Sequence, residues 1–283
     1  MSNIFFSVII PTLNRNDLLA KCLDKLAPNI QTIDLCPYEV IVTNDSKISE
    51  STALNVKDYP WVKWVEGPKR GPAANRNNGA KYAKGEWLIF LDDDVIPDSK
   101  LLSAYANAIN NDSSIKACEG AIHPDDWTLL EKDMAECPVN LEGGVFWSAN
   151  ICINRIFFEQ IGGFDEQFKI AAQEDQDLFE RIKKLSSVKF IQDAKVVHPV
   201  RFPKMMTKIF NIPKASKNYS IYVRKHSISS CLSILISQYE LHFRVFVKYL
   251  IKGQFKSSVV ELVWLIFGIP LNIFNILKAN YSF

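Results

Sequence analysis

The sequence predicts an α/β fold with a mainly parallel central sheet and a helical C-terminal extension. Three features carry this expectation. Short β-branched and aromatic runs end in polar residues, a stretch of helical periodicity separates the first two runs, and a third run stops abruptly at three carboxylates. Apolar runs of this length suit strands buried on both faces of a parallel sheet.

The first strand is read at Phe5-Phe6-Ser7-Val8-Ile9-Ile10-Pro11-Thr12 and the second at Tyr38-Glu39-Val40-Ile41-Val42-Thr43-Asn44-Asp45. Between them, from about Asn16 to Ala27, the residues Leu18, Leu19, Cys22, Leu23 and Leu26 keep helical spacing, with Asp17 near the start where a carboxylate is favoured. Strand and helix alternation of this kind implies right-handed crossovers, and ligands gather beyond the carboxyl ends of such strands. Thr12, Asp45 and Asp92 all fall at strand ends, so three strands are expected to aim polar residues at one crevice.

The third run, Trp87-Leu88-Ile89-Phe90-Leu91, leads into Asp92-Asp93-Asp94. Clustered carboxylates repel and resist desolvation, so three anions at a strand end call for a cation. Hard oxygen donors suit Mg²⁺ or Mn²⁺, which usually combine one or two carboxylates with substrate phosphates. An acidic turn with Asp93 and Asp94 simply solvated is the alternative. Farther on, Leu178, Ile182 and Leu185 keep helical spacing, which sets Glu174 and Asp175 at a helix N-terminus. A carboxylate held ionised there is equipped to act as a general base, or it merely stabilises the helix.

At 283 residues and 48% hydrophobic, the chain can bury a sizeable core. The six cysteines, Cys22, Cys36, Cys118, Cys137, Cys152 and Cys231, show neither metal-ligand spacing nor a dense disulfide framework, so reduced thiols in a cytosolic setting are expected. No basic-then-apolar leader precedes Ile4, so no secretory signal is expected. The charge is uneven: from Pro199 onward there are twelve Lys and Arg against Glu240 and Glu261 alone, which leaves the preceding residues acidic. Seven of those cations, Arg201, Lys204, Lys208, Lys214, Lys217, Arg224 and Lys225, lie among apolar residues with no acid, a mixture suited to an anionic membrane surface. No nucleic-acid module accompanies them, so nucleic acid is not expected as a partner.

In the tail, Ile228, Cys231, Leu232, Leu235, Ile236 and Tyr239 trace one helical face and Ser229, Ser230, Ser233 and Ser237 the other. Leu262 to Leu271 is apolar but too short to span a bilayer, with Pro270, Asn272 and Asn275 interrupting it, so an interfacial position is expected. Packing on the preceding α/β domain, or homo-oligomerisation through these helices, is the alternative.

The ordered set Val8-Ile9-Ile10-Pro11-Thr12-Leu13-Asn14-Arg15, Asn44-Asp45, Gly71-Pro72-Ala73-Ala74-Asn75-Arg76-Asn77, Asp92-Asp93-Asp94, Gly162-Gly163-Phe164-Asp165, Glu174-Asp175 and Val197-His198 resembles glycosyltransferase family 2. These are inverting enzymes of the GT-A fold, a Rossmann-like nucleotide-diphospho-sugar transferase architecture. The resemblance covers about residues 4–200, taken as the catalytic domain, and leaves 201–283 as a basic, apolar helical region that meets a membrane or oligomerises. It implies that Pro11, Thr12, Arg15 and Asp45 bind the nucleotide, with Asp45 at the base, and that Arg76 approaches the nucleotide or diphosphate. Asp92 and Asp94 match the ends of the DxD motif. Asp94 is then a metal ligand, Asp92 meets ribose, metal or both, and Asp93 holds nucleotide or sugar. His198 resembles an added metal ligand. Asp175 is the catalytic base with Glu174 as its fallback, Trp147 is a wall of the sugar site, and Asn150 and Glu174 stand beside sugar or acceptor.

The expected activity is metal-dependent transfer of a sugar, with Mn²⁺ or Mg²⁺, from a nucleotide-diphosphate donor, UDP-sugar favoured. The acceptor is a hydroxyl of a glycan or lipid-linked glycan, at the cytoplasmic face of a membrane. A phosphatase with an Asp nucleophile would want threonine where Ile96 stands, and a nucleotidyltransferase would want a glycine-rich loop where Pro11 to Arg15 has none. A non-catalytic sugar-nucleotide or glycan-binding protein of the same fold is the remaining alternative.

Overall fold

Strand β1 (Phe6–Thr12) pairs in parallel with β2 (Tyr38–Asn44) on one side and β4 (Trp87–Leu91) on the other, and β2 pairs in parallel with β3 (Val62–Glu66). The computed structural model describes residues 4–31, 37–46, 56–226 and 231–280. β4 is buried at every position and β1 at every position but Pro11, as unalternating apolar runs require. Helix α1 (Asn16–Leu26) crosses from β1 and buries Leu19, Cys22, Leu23 and Leu26, while α2 (Pro72–Lys81) precedes β4.

After β4 come the two-residue strand β5 (Ile96–Pro97), α3 (Leu101–Asn111), β6 (Ala117–Pro124), β7 (Asn150–Asn154), α4 (Arg155–Gln160), α5 (Glu174–Lys183) and β8 (Val188–His198). Among the described residues they complete an eight-stranded sheet in the order β3-β2-β1-β4-β7-β6-β8-β5. β7 runs antiparallel to both β4 and β6, whereas β6 and β8 are parallel. The mainly parallel expectation therefore holds, with β7 reversed in the middle and the two-residue β5 antiparallel to β8 at the edge. Helix α5 ends at Lys183, so Leu185 lies beyond it and is exposed, outside the buried stripe of Leu178 and Ile182. Cys22, Cys118, Cys137 and Cys152 are free thiols, and Cys36 lies outside the described residues.

Asn150, expected beside the sugar or acceptor, is instead part of the core at 1% exposure. Its Oδ1 accepts from the Tyr105 hydroxyl at 2.9 Å, and its Nδ2 donates to Ala121 O at 3.0 Å and Ala194 O at 2.9 Å, which ties β7 to β6 and β8. Buried, and with both amide hydrogens spent, this side chain is closed to a substrate. Gly120 permits this packing, because a Cβ there would come within 2.3 Å of both Ala194 O and Asn150 Nδ2.

The chain divides into two compact units, residues 1–125 with 138–199, and residues 126–137 with 200–283. In the second, α6 (Met205–His226), α7 (Cys231–Ile251), α8 (Phe255–Val263) and α9 (Ile269–Asn280) follow one another. Asp133 accepts from the Lys256 and Ser257 N–H groups, Met134 N–H donates to the Ser257 hydroxyl, and Glu131 pairs with Lys252. Segment 126–137 is thus held by the C-terminal helices.

The expected interruption after Leu271 does not occur. A π-helical turn at Trp264–Gly268 joins α8 to α9, and the resulting helix Phe255–Lys278 is long and apolar enough to cross a membrane by length and composition. In that turn Ile269 N–H bonds Trp264 O, so the hydrogen-bond ladder is already re-registered where Pro270 supplies no donor. Ile228 to Ser230 of the expected amphipathic face lie outside the described residues. Ile236 and Tyr239 are exposed alongside Ser233 and Ser237, so these residues do not divide into an inner and an outer face.

Replacing Asn150 with alanine strips three buried hydrogen bonds from the sheet. Asn150→Ala is expected to cost about 2–4 kcal/mol of unfolding free energy, read from the shift of the urea midpoint.

Candidate active site

Two guanidinium groups organise the carboxyl ends of β1 and β4. The turn after β1 carries Arg15, whose Nη1 reaches Asp93 Oδ1 at 3.1 Å and Asp94 Oδ2 at 3.0 Å. Thr12, at the end of β1, donates its hydroxyl to Asp93 Oδ2 at 2.7 Å. Both oxygens of Asp93 are therefore occupied, and the side chain expected to hold nucleotide or sugar is buried as a clamp between β1 and β4. Thr12, also buried, spends its hydroxyl on that clamp. Burial pushes the Asp93 carboxyl up to about 6, against the pull of Arg15 and the Thr12 hydroxyl.

Arg76 forms the second bridge. Asn75 fixes α2 against β2 by accepting from the Thr43 hydroxyl at 2.6 Å and donating to Thr43 O at 3.0 Å. The next residue then turns inward. Arg76 Nη2 meets Asp92 Oδ1 at 2.8 Å, Nη1 meets Glu174 Oε1 at 3.0 Å, and the guanidinium lies 5.6 Å above the Phe164 ring. Only 5% of its side chain is exposed, so Arg76 positions two carboxylates rather than offering an open donor to a diphosphate. Asn77 completes the run by clasping Phe164 N–H and O, which holds the loop ahead of α5.

Glu174, the first residue of α5, is buried, and its Oε2 accepts from Ala172 N–H at 2.7 Å. Buried, and with Arg76 on the other oxygen, it serves as an anchor and not as the fallback base or sugar contact that was expected. Its neighbour Asp175 is partly exposed and accepts from the N–H groups of Gln176 and Ser148. Its carboxyl is pushed up to about 7, chiefly by burial and then by the Glu174 anion, while Arg76 and the two N–H groups oppose the shift.

His198, at the end of β8, is 1% exposed and sets Nε2 3.4 Å from Asp94 Oδ1. Its Nδ1 lies 2.9 Å from Pro199 O, an atom that can only accept, so Nδ1 carries the proton and Nε2 turns to the carboxylate. Among the described residues, no three His, Cys, Asp or Glu side chains converge as a ready-made metal cluster, and Asp92 is drawn to Arg76 instead.

Asp45 is half-buried, with Oδ1 accepting from Lys69 N–H at 2.7 Å, and burial raises its carboxyl. Gly67 is required beside it, since a Cβ there would fall 2.2 Å from Asp45 Oδ1. Pro11 is half-buried one residue before Thr12. Trp147 packs partly on the core while its backbone O accepts from Asn150 N–H.

Sequence reasoning missed Glu119. This buried residue of β6 accepts from the N–H groups of Gly144, Val145 and Phe146 and from Asn140 Nδ2, folding the loop that delivers Trp147 and Ser148. Gln176 was missed as well: its side chain donates to Val145 O and ties the same loop to α5. An acid inside an otherwise apolar strand segment, Ala117 to Ile122, was the available signal.

Two outcomes follow from these contacts. Because the folded Asp175 titrates above its ordinary value, its contribution to stability is present below about pH 4 and is lost as pH rises to about 7. Asp175→Asn is therefore expected to melt higher than the parent at about pH 8 and no higher at about pH 4. Glu119→Ala leaves three backbone donors without their acceptor, which should cost about 2–4 kcal/mol and speed amide exchange at Gly144 to Phe146.

Residues 7–175 match the profile described as Glycosyl transferase family 2. A GalNAc(5)-diNAcBac-PP-undecaprenol beta-1,3-glucosyltransferase of Campylobacter jejuni is 37% identical over 132 residues, 45% of this chain and 39% of that protein. A validoxylamine A glucosyltransferase of Streptomyces hygroscopicus is 27% identical over 260 residues, 78% of this chain and 60% of that protein. The chain thus spans less than two thirds of the length of these relatives. A mannosyltransferase from Pyrobaculum calidifontis, solved with GDP-Man and Mn²⁺, superposes with a TM-score of 0.56 over 98% of this chain and 76% of that chain at 17% identity. S. aureus TarS 1–349, solved with UDP, does so at 0.56 over 99% of this chain and 94% of that chain at 15% identity. At these identities the likeness is one of fold, and that fold is GT-A, as the motifs imply. Since the family match takes in β1, the Asp92-Asp93-Asp94 run and the start of α5, this chain belongs to glycosyl transferase family 2.

Proposed function

We propose that the chain is a metal-dependent inverting glycosyltransferase. It moves a sugar from a nucleotide-diphosphate donor, a UDP-sugar, to a hydroxyl of a glycan or lipid-linked glycan. The observation that carries this reading is Asp175: a partly exposed carboxylate, oriented by two N–H donors and raised to about 7, beside a carboxylate already neutralised by Arg76. A base whose affinity for protons lies near the working pH can take one from an acceptor hydroxyl and release it again.

The residues Asp94 and His198 fit a divalent ion. An Asp94 carboxylate oxygen and the His198 Nε2 face each other at 3.4 Å, and the second ring nitrogen lies against a carbonyl, the arrangement usual for metal-ligating histidines. Two protein donors are enough where diphosphate oxygens and water complete the shell, and carboxylate with imidazole suits Mn²⁺ as well as Mg²⁺. When bound, the ion would offset charge on the departing nucleoside diphosphate. Asp92, steadied by Arg76, is available to the ribose, and Arg15 presents its half-exposed guanidinium toward phosphate. Asp45 and Pro11 flank the place read for the base, and Trp147 offers an aromatic face to the sugar. Asp175 takes the acceptor proton as the oxygen attacks the anomeric carbon from the side opposite the nucleotide, and this single displacement inverts the centre.

The relative named for an undecaprenol-linked substrate supports a lipid-linked acceptor. The basic C-terminal region supports its presentation at an anionic membrane on the cytoplasmic side.

Calorimetry with UDP, GDP, CDP and dTDP, in Mn²⁺ and in EDTA, is expected to show metal-dependent binding of UDP that Asp94→Ala abolishes. Asp175→Asn is expected to keep that binding and lose transfer by about 10³-fold, while the parent rate rises with pH through about 7. Normal turnover by Asp175→Asn would refute the base. Nucleotide binding that ignores EDTA, with no transfer to any acceptor, would favour the non-catalytic binding protein.

A further inference from the structure

Beside a buried apolar cluster at Val223 and Ile276, the second unit exposes a stripe of large apolar side chains and buries several polar ones. Along the helix Phe255–Lys278, the outward positions include Phe255, Val259, Leu262, Ile266, Phe274 and Leu277, all 39% exposed or more and all on one stripe at helical spacing. The polar residues of the same helix turn inward. Asn272, at 1% exposure, donates to Gln238 of α7, Asn275 donates to Ser216 of α6, Glu261 pairs with His242 of α7, and Ser257 meets Asp133. A helix packed for water places these two sets the other way round, whereas polar contacts between helices and an apolar exterior are what a hydrocarbon surrounding selects.

We propose that this stripe is the lipid-contacting face of the protein, bedded in the acyl layer of an anionic membrane. Lys256 and Lys278 stand at its two ends, where their ammonium groups reach the headgroups. Charge selects this occupant. The region from Pro199 onward carries twelve basic residues against two acidic ones, so a second copy would bring like charge, while anionic lipid supplies the opposite sign. The inference deepens the membrane reading given above and rests on it.

The test is flotation of the full chain with vesicles of phosphatidylglycerol and phosphatidylcholine, against phosphatidylcholine alone, at low and high salt. The parent is expected to float with the anionic vesicles and to stay partly bound at high salt, where charge alone is screened. Ile266→Ser and Phe274→Ser, exposed and free of charge change, should each weaken vesicle affinity about tenfold or more without lowering the melting temperature. If both variants float like the parent while Arg224→Gln with Lys225→Gln does not, the contact is made by basic residues alone and the stripe is not the lipid face. A parent that floats with no vesicle removes the membrane reading as well, and leaves nucleotide binding by the first unit to be judged separately. A lipid-free dimer that the stripe variants dissociate would assign the face to a second copy and overturn the proposal.

Discussion

Five carboxylates, Asp92, Asp93, Asp94, Glu174 and Asp175, gather around two guanidinium groups, and this imbalance governs the site. Arg76 is buried between Asp92 and Glu174, where removing one member of an ion pair generally costs about 3–5 kcal/mol, because the survivor keeps its desolvation penalty. Arg15 is half-exposed and shares one nitrogen between two acids, so it neutralises them less completely. Burial, and after it the neighbouring anions, hold Asp93 and Asp175 above the usual carboxylate range. A site built this way answers to any cation or proton that enters it, and burial together with the Glu174 anion equips Asp175 to accept a proton near neutral pH.

Much of this was legible in the chain. Apolar runs ending at Thr12, Asn44 and Leu91 specify buried strands by their lack of alternation, and α1 declares itself by the spacing of Leu19, Cys22, Leu23 and Leu26. The direction of β7 was not legible, since Ile151-Cys152-Ile153 reads the same in either sense. Arg76 escaped for a related reason: α2 buries Asn75 and Arg76 rather than an apolar stripe, so periodicity says nothing of which way the guanidinium turns. The resemblance sets Asn150 beside sugar or acceptor, and only the convergence of Tyr105, Ala121 and Ala194 from distant segments shows it to be a core strut. In the tail, Pro270 and two asparagines counted against a long helix. The π-helical turn removes the first objection, and inward partners on α6 and α7 remove the second.

The active-site loop from Asn140 to Ser148 shows how little of a site's precision resides in the residues that touch substrate. Its shape is dictated by Glu119 from below and by Gln176 from the side, and neither side chain is aimed at the crevice. Three successive amides drawn to one carboxylate leave the loop few alternative conformations, which keeps Ser148 N–H where Asp175 needs it.

The placement of residues 126–137 has a consequence for how the chain reaches this state. Asp133 and Met134 find their partners 123 or 124 residues downstream, at Lys256 and Ser257, with β7, α4, α5 and β8 lying between in sequence. During synthesis this segment emerges well before its partners at Lys256 and Ser257, whose hydrogen bonds it cannot make until they follow. The closing of so long a loop is slow but adds little extra entropy cost beyond that of a shorter one. The sheet can assemble first, with 126–137 as a slack excursion between β6 and β7 that the later helices capture once Lys256 and Ser257 are in place.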